Sequence, residues 1–266
     1  MKHQLVRKYE KELQRRNYAR NTVAHYTWCV EKFISDVGGN PYQYTVKLLD
    51  AYLTEVSWSS VSQQSQMINA MKLFYSLCLG KKNITLAKIE RPRKEHHLPK
   101  VIDINMILGR INAIDNLKHK AILSIAVSVG LRVGEVIRLK VSDIDSKRMQ
   151  IKIIDSKGHK DRLVPLSEKM LIILRQYYKE YEPQVYLFEG QHGGQYSKSS
   201  CNKIFKKYID PQLSFHSLRH SCFTSLLERG TDITIIQKLA GHAKVETTQI
   251  YAQVSNALLS KVKLPM

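Results

Sequence analysis

Arg132, Lys157, His216, Arg219, His242 and Tyr251 occur in that order along a chain of 266 residues. Two guanidiniums, an ammonium, two imidazoles and a phenol are the groups that attack on a phosphodiester calls for when no metal takes part. A phenol titrates near pH ~10, so a neighbour must help remove its proton at neutral pH. Charge that builds on the non-bridging oxygens is best met by planar, multi-donor cations, which arginine supplies. The departing oxygen needs a proton, and a lysine or a histidine can deliver it.

Each of these residues also has an ordinary reading. His216 and Arg219 are three apart, so on a helix they share one face, but such a pair also serves as a satisfied histidine beside a surface salt bridge. Arg132 follows a glycine-ended apolar stretch and could simply pair with Glu135. Lys157 precedes Gly158 in a turn-like segment, where lysines are usually solvated. His242 follows Gly241 and could cap a helix or sit in a core. Tyr251 is one of 14 tyrosines. The joint occurrence of all six, in this order and ahead of a late tyrosine, favours chemistry.

The elements that must position them can be read from periodicity. Val6–Leu13 reads as a first helix. Asn21 or Thr22 can cap a helix with Tyr26, Val30, Phe33, Ile34 and Val37 on one face, ended by Gly38-Gly39-Asn40-Pro41. A short helix over Val46–Tyr52 follows. Another starts near Ser59 or Ser60, carries Met67, Met71, Phe74, Tyr75 and Cys78, and ends at Gly80. Residues 81–98 are basic, contain Pro92 and lack helical periodicity, which marks a linker to a second domain over 99–266. There, Asp103 can cap a helix with Ile104, Ile107, Leu108, Ile111 and Ile114 inward. Lys118–Val129 reads as an apolar helix stopped by Gly130. Met149–Ile154 and Asp161–Leu166 read as a β-hairpin with Lys157 at its tip. Helices are expected from Ser167 to Tyr178, and over His216–Arg229, Ile233–Leu239 and Val245–Ala252. The fold class is therefore mainly α with a small β-sheet, in two domains.

Composition bounds the partners. The hydrophobic content is 43% and the formal net charge is +19. Residues 1–98 carry +8 of it and the remainder +11. A chain this basic over its whole length usually faces a polyanion, most often nucleic acid. The bland alternative is a generally basic, solvated surface. Cys29, Cys78, Cys201 and Cys222 form no CxxC pair and point to free thiols rather than disulfides or zinc. The longest apolar run, Ala121 to Leu131, falls short of the roughly 20 residues that span a bilayer. No signal-peptide pattern stands at the N-terminus. The expectation is a cytoplasmic protein with no membrane partner.

Gly130-Leu-Arg132-Val-Gly-Glu135, Ser156-Lys157-Gly158-His-Lys-Asp-Arg162, His216-Ser-Leu-Arg219-His220, Leu239-Ala-Gly241-His242 and Thr247-Thr248-Gln-Ile-Tyr251 resemble the motifs of the tyrosine recombinases, the phage integrase family of site-specific DNA recombinases. The resemblance runs from about Leu98 to Val254, and the helices of residues 1–80 resemble the family's core-binding, SAM-like domain. It implies a two-domain clamp around double-stranded DNA, a helical core-binding domain joined to an α+β catalytic domain. It further implies that Arg132 and Arg219 hold the scissile phosphate and that Lys157 protonates the leaving 5′-hydroxyl. His216 assists proton transfer at the phenol, and His242 donates a hydrogen bond to the phosphate. Tyr251 attacks to give a 3′-phosphotyrosine. Lys160 rivals Lys157 because both lie in one turn. Glu135 is expected to orient a neighbour and His220 to lie behind the reacting groups. Ala240 stands where the family often has leucine, a difference of packing.

Covalent storage of the phosphodiester implies no cofactor and no metal. Exchange between two duplexes implies a homotetramer on DNA. The apolar tail Ala257–Leu264 is expected to pack on a neighbouring protomer. The chain lacks an extra arm-binding domain, which tilts the expectation toward a recombinase acting on a short core site. Two rival readings share part of this evidence: a type IB topoisomerase, which relaxes DNA by the same chemistry, and a catalytically silent DNA-binding accessory factor.

Overall fold

The computed structural model describes residues 4–81, 98–156, 160–242 and 244–254, with only the backbone described at 155, 156, 160, 253 and 254. It divides into two compact units, residues 1–96 and 97–266. Lys157, most of the basic segment 81–98 and the tail Ala257–Leu264 lie outside the described residues. Among the described residues no helix is long and apolar enough to cross a membrane.

The first unit contains helices α1 (Gln4–Arg15), α2 (Arg20–Val37), α3 (Val46–Glu55) and α4 (Val61–Cys78). Leu5, Val6, Tyr9 and Leu13 of α1 meet Val30 and Phe33 of α2 and Met67, Met71, Phe74 and Tyr75 of α4 in one core. Thr45 caps α3 by accepting from the amide of Leu48, and Ser60 caps α4 by accepting from that of Gln63. The expected cap of α2 at Asn21 or Thr22 is not the one seen. The helix begins at Arg20, and Ala19 precedes it without a side-chain cap. Val23, in the first turn of α2, is buried in the same core and anchors that end.

The second unit is built around α6 (Leu117–Ser128), capped by Asn116. All residues from Ala121 to Val127 are buried and all but Ser124 are apolar, so this stretch of α6 has no solvent face, as befits a helix surrounded by others. It is flanked by α5 (Ile104–Asn112), α8 (Glu168–Tyr181), α9 (Lys198–Tyr208) and α10 (His216–Glu228). Asp103 caps α5 through the amide of Met106 as expected. Leu108, expected inward on α5, is 42% exposed, because the buried stripe of this short helix is only as wide as Ile107 and Ile111.

The hairpin forms as β2 (Gln150–Ser156) and β3 (Lys160–Pro165), antiparallel, with Ile151 opposite Val164 and Ile153 opposite Arg162. A third strand that the sequence did not announce, β1 (Ile144–Asp145), pairs with β2. The helix α9 was also unannounced. The one-turn α7 (Val133–Val136) follows α6, and α11 (Ile233–Ala240) and α12 (Glu246–Val254) follow α10.

Candidate active site

Two chain reversals bring distant residues together. The first is at Gly130, which ends α6 with φ of +64°. A Cβ there would stand 2.5 Å from the Phe223 ring, so the position needs glycine for its backbone conformation and for space. The turn delivers Arg132 to the start of α7. The second is at Gly241, which ends α11 in the left-handed conformation and delivers His242.

Glu135 is the buried anion of this region. Its Oε2 accepts from the backbone N–H of Arg132 at 2.9 Å, and its Oε1 accepts from Arg132 Nη1 at 2.8 Å. Arg162 of β3 donates from Nη1 to Oε1 at 3.0 Å and from Nη2 to Oε2 at 2.9 Å. Burial alone would raise the carboxyl, but the Arg162 hydrogen bonds and charge, helped by Arg132, override it and hold the group at about 2. The expectation that Glu135 orients a neighbour thus has a geometry: the carboxylate grips the guanidinium of Arg132.

Arg219 is fully buried on α10. Its Nη1 donates to the carbonyl of Gly130 at 2.7 Å, and its Nη2 donates to the carbonyl of Ala240 at 2.5 Å. Its guanidinium carbon lies 4.8 Å from the centre of the Phe223 ring. Burial, followed by the charge of Arg132, lowers its pKa to about 10, which leaves it charged at neutral pH. The contact of Ala240 with the site is thus made by its backbone.

Arg219 Nη2 also lies 2.9 Å from His242 Nε2, and His242 Nδ1 lies 3.0 Å from Thr248 Oγ1. Burial and the charges of Arg219, Arg132 and Arg162 push His242 down to about 4. Tyr251, on α12, is 2% exposed. Its ring stacks at 6.3 Å on His242 and lies 5.4 Å from Phe223 and 5.7 Å from His220. Burial raises the phenol pKa, while the charge and hydrogen bonding of Arg219, and the charge of Arg132, pull against that rise.

His216 is exposed at the start of α10, and its ring meets that of His220 at 4.5 Å, edge to face. His220 therefore touches both His216 and Tyr251. Burial, then the charges of His216 and Arg219, hold His220 at about 4. The face of the His216 ring turned toward the site is shielded from water, and this, followed by the charges of Arg219 and Arg132, also lowers His216.

Of the six residues singled out from sequence, Arg132, His216, Arg219, His242 and Tyr251 converge, linked by these contacts. Lys157 falls outside the described residues. Sequence reasoning gave Arg162 no role, although its side chain joins Glu135 and donates from Nε to the carbonyl of Leu239 at 2.8 Å. Strand alternation held the signal. Val164 is buried, so Arg162, two positions before it, must share the inward face.

Residues 101–257 match the phage integrase family, and residues 5–84 match the N-terminal SAM-like domain of phage integrases. The chain belongs to the phage integrase family of tyrosine recombinases. Tyrosine recombinase XerA of Pyrococcus horikoshii is 31% identical over 246 residues, which are 89% of this chain and 84% of that protein. The crystal structure of XerA recombinase superposes with a TM-score of 0.57 at 25% identity, covering 98% of this chain and 99% of its own. A second likeness, of fold, is to XerH site-specific recombinase bound to palindromic difH substrate in a post-cleavage complex. It has a TM-score of 0.74 at 21% identity and covers 95% of this chain and 83% of that one.

Proposed function

We propose that this enzyme is a site-specific DNA recombinase that cuts and rejoins DNA strands through a 3′-phosphotyrosine on Tyr251. The observation that carries the reading is the convergence on Tyr251 of two arginines and three histidines from α7, α10 and the α11–α12 turn. Arg132 and Arg219 hold the non-bridging oxygens of the scissile phosphate, and His242 adds a hydrogen bond. His216 helps remove the phenol proton as the Tyr251 oxygen attacks phosphorus. The bond to the 5′-oxygen breaks, and Lys157, which lies between β2 and β3 in the sequence, gives that oxygen its proton. A 5′-hydroxyl from the partner duplex then reverses the step. The phosphodiester energy stays in the phosphotyrosine, so the cycle consumes no nucleotide.

Double-stranded DNA is the partner in this reading. Residues 1–80 serve as the core-binding domain, 81–98 as a basic linker and 99–266 as the catalytic domain, the two domains clamping the duplex. Four copies act together when two duplexes are synapsed. The basic charge in both parts of the chain supports many phosphate contacts, so affinity should fall steeply with salt. The protein acts in the cytoplasm.

The test is a duplex selected from random sequence by binding to this protein, nicked near the selected site so that cleavage is not reversed. Incubation should leave a covalent protein–DNA adduct on a denaturing gel, and Tyr251→Phe should leave none. An adduct that persists in Tyr251→Phe rejects the nucleophile. Relaxation of plasmids with no sequence preference and no strand exchange would favour the topoisomerase reading instead.

A further inference from the structure

Arg162 joins two parts of the site, Glu135 and the end of α11. It sits on β3, paired with β2. Its guanidinium forks onto both oxygens of Glu135 at 3.0 and 2.9 Å. Its Nε donates to the carbonyl of Leu239 at 2.8 Å, three residues before His242. Gly241 gives its stem room, since a Cβ there would lie 3.3 Å from Arg162 Cδ and Nη1.

The division of Glu135 between two arginines matters most. The carboxylate receives four N–H groups, two from Arg162 and two from Arg132, one of the latter being backbone. Arg132 therefore has a single guanidinium nitrogen, Nη1, engaged with Glu135. A buried carboxylate is costly to leave unsatisfied. If Arg162 were removed, the nearest cation able to make up the loss is Arg132, whose planar fork fits a carboxylate with two N–H bonds.

We propose that Arg162 is a positioning residue that occupies Glu135 so that the guanidinium of Arg132 stays available to the scissile phosphate. It does not touch the DNA in this scheme. It acts through Glu135 on Arg132, and through the Leu239 carbonyl on the segment that presents the Ala240 carbonyl to Arg219. This rests on the reading of Arg132 as a phosphate ligand.

The experiment uses Arg162→Met in the full chain, with the nicked duplex described above. The rate of adduct formation should fall by about 10²-fold, the scale of a misplaced reacting group, with duplex affinity within about 3-fold of the starting protein because no DNA contact is removed. Adding Glu135→Gln removes the charge that draws Arg132 inward. The double variant should regain about 10-fold over Arg162→Met when both rates are taken per folded molecule, counted by thermal melting, because removing the stranded carboxylate also restores stability. A double variant slower than Arg162→Met overturns the proposal. If Arg162→Met does not fold, Arg162→Lys keeps the charge and stem but loses the fork, and the same loss and recovery are expected. A crystal structure of the single variant reads the link with no substrate. Two side-chain N–H bonds from Arg132 to Glu135 support it, and an unmoved Arg132 overturns it. This arm stands even if the starting protein forms no adduct, a result that would reject the recombinase reading.

Discussion

The Nε2 atom of His242 faces Nη2 of Arg219 at 2.9 Å. A guanidinium can only donate, so Nε2 accepts and carries no proton. The remaining proton is on Nδ1, which donates to Thr248 Oγ1 at 3.0 Å. Free of DNA, His242 is thus a neutral imidazole with its acceptor turned toward the site. To donate a hydrogen bond to a phosphate from Nε2 it must gain a proton there, either from solvent or by transfer of the Nδ1 proton as the Thr248 hydroxyl turns to donate.

The solvent route predicts that DNA binding absorbs protons at neutral pH, since the phosphate favours the imidazolium that burial and Arg219 now suppress, whereas the transfer route absorbs none. Titration calorimetry in buffers of different ionisation enthalpy measures this directly. Proton uptake should vanish in His242→Gln. Thr248→Val, which strands the Nδ1 proton in a buried place, should cost about 1–3 kcal/mol of stability. Uptake that is unchanged in His242→Gln would assign the proton elsewhere.

Acid should unfold the catalytic unit in two stages. Folding keeps His220 neutral down to about 4, so its contribution is lost as pH falls from the unfolded value near ~6.5 toward 4. Glu135 is held at about 2 against an ordinary value of 4.5. Its contribution is full above ~4.5 and is lost as pH falls from there toward 2, worth roughly 3 kcal/mol by the size of the shift. Urea midpoints measured across this range should show Glu135→Gln flattening the lower stage and His220→Gln flattening part of the upper, which His242 shares.

Gly130→Ala should be among the most damaging small substitutions in the chain. The new methyl group must displace the Phe223 ring from 2.5 Å, at a backbone conformation alanine disfavours. Overpacking and backbone strain together should cost roughly 2–4 kcal/mol. Phe223 also packs on Tyr251 at 5.4 Å, so the adduct rate should fall in the fraction that still folds. Thermal melting alongside the adduct assay separates the two effects.

The sequence made α6 legible because six of the seven consecutive buried residues are apolar and the run stops at a glycine. The hairpin was legible because its β-branched runs flank a turn-like centre. The helix α9 was not, because Cys201, Ile204 and Phe205 are its only buried positions among lysines and serines. β1 is two residues long and exists only through its pairing with β2. In the site, residue types and order, together with the family resemblance, pointed to Arg132, His216, Arg219, His242 and Tyr251, which the fold brings together. Arg162 was hidden by an inverted strand: it is inward and nearly buried while its apolar neighbour Leu163 is 60% exposed. Hydropathy ranks those two the other way round. Only the partner, Glu135, explains why the charge is inside.

The two carbonyls held by Arg219 belong to Gly130 and Ala240, 89 and 21 residues away from it in sequence. The same guanidinium thus fastens the end of α6 to the end of α11. An inactive Arg219 variant is consequently an ambiguous witness. Its silence reports a lost phosphate ligand only after those two chain ends have been shown to remain in register, for instance by amide exchange at Leu131 and His242.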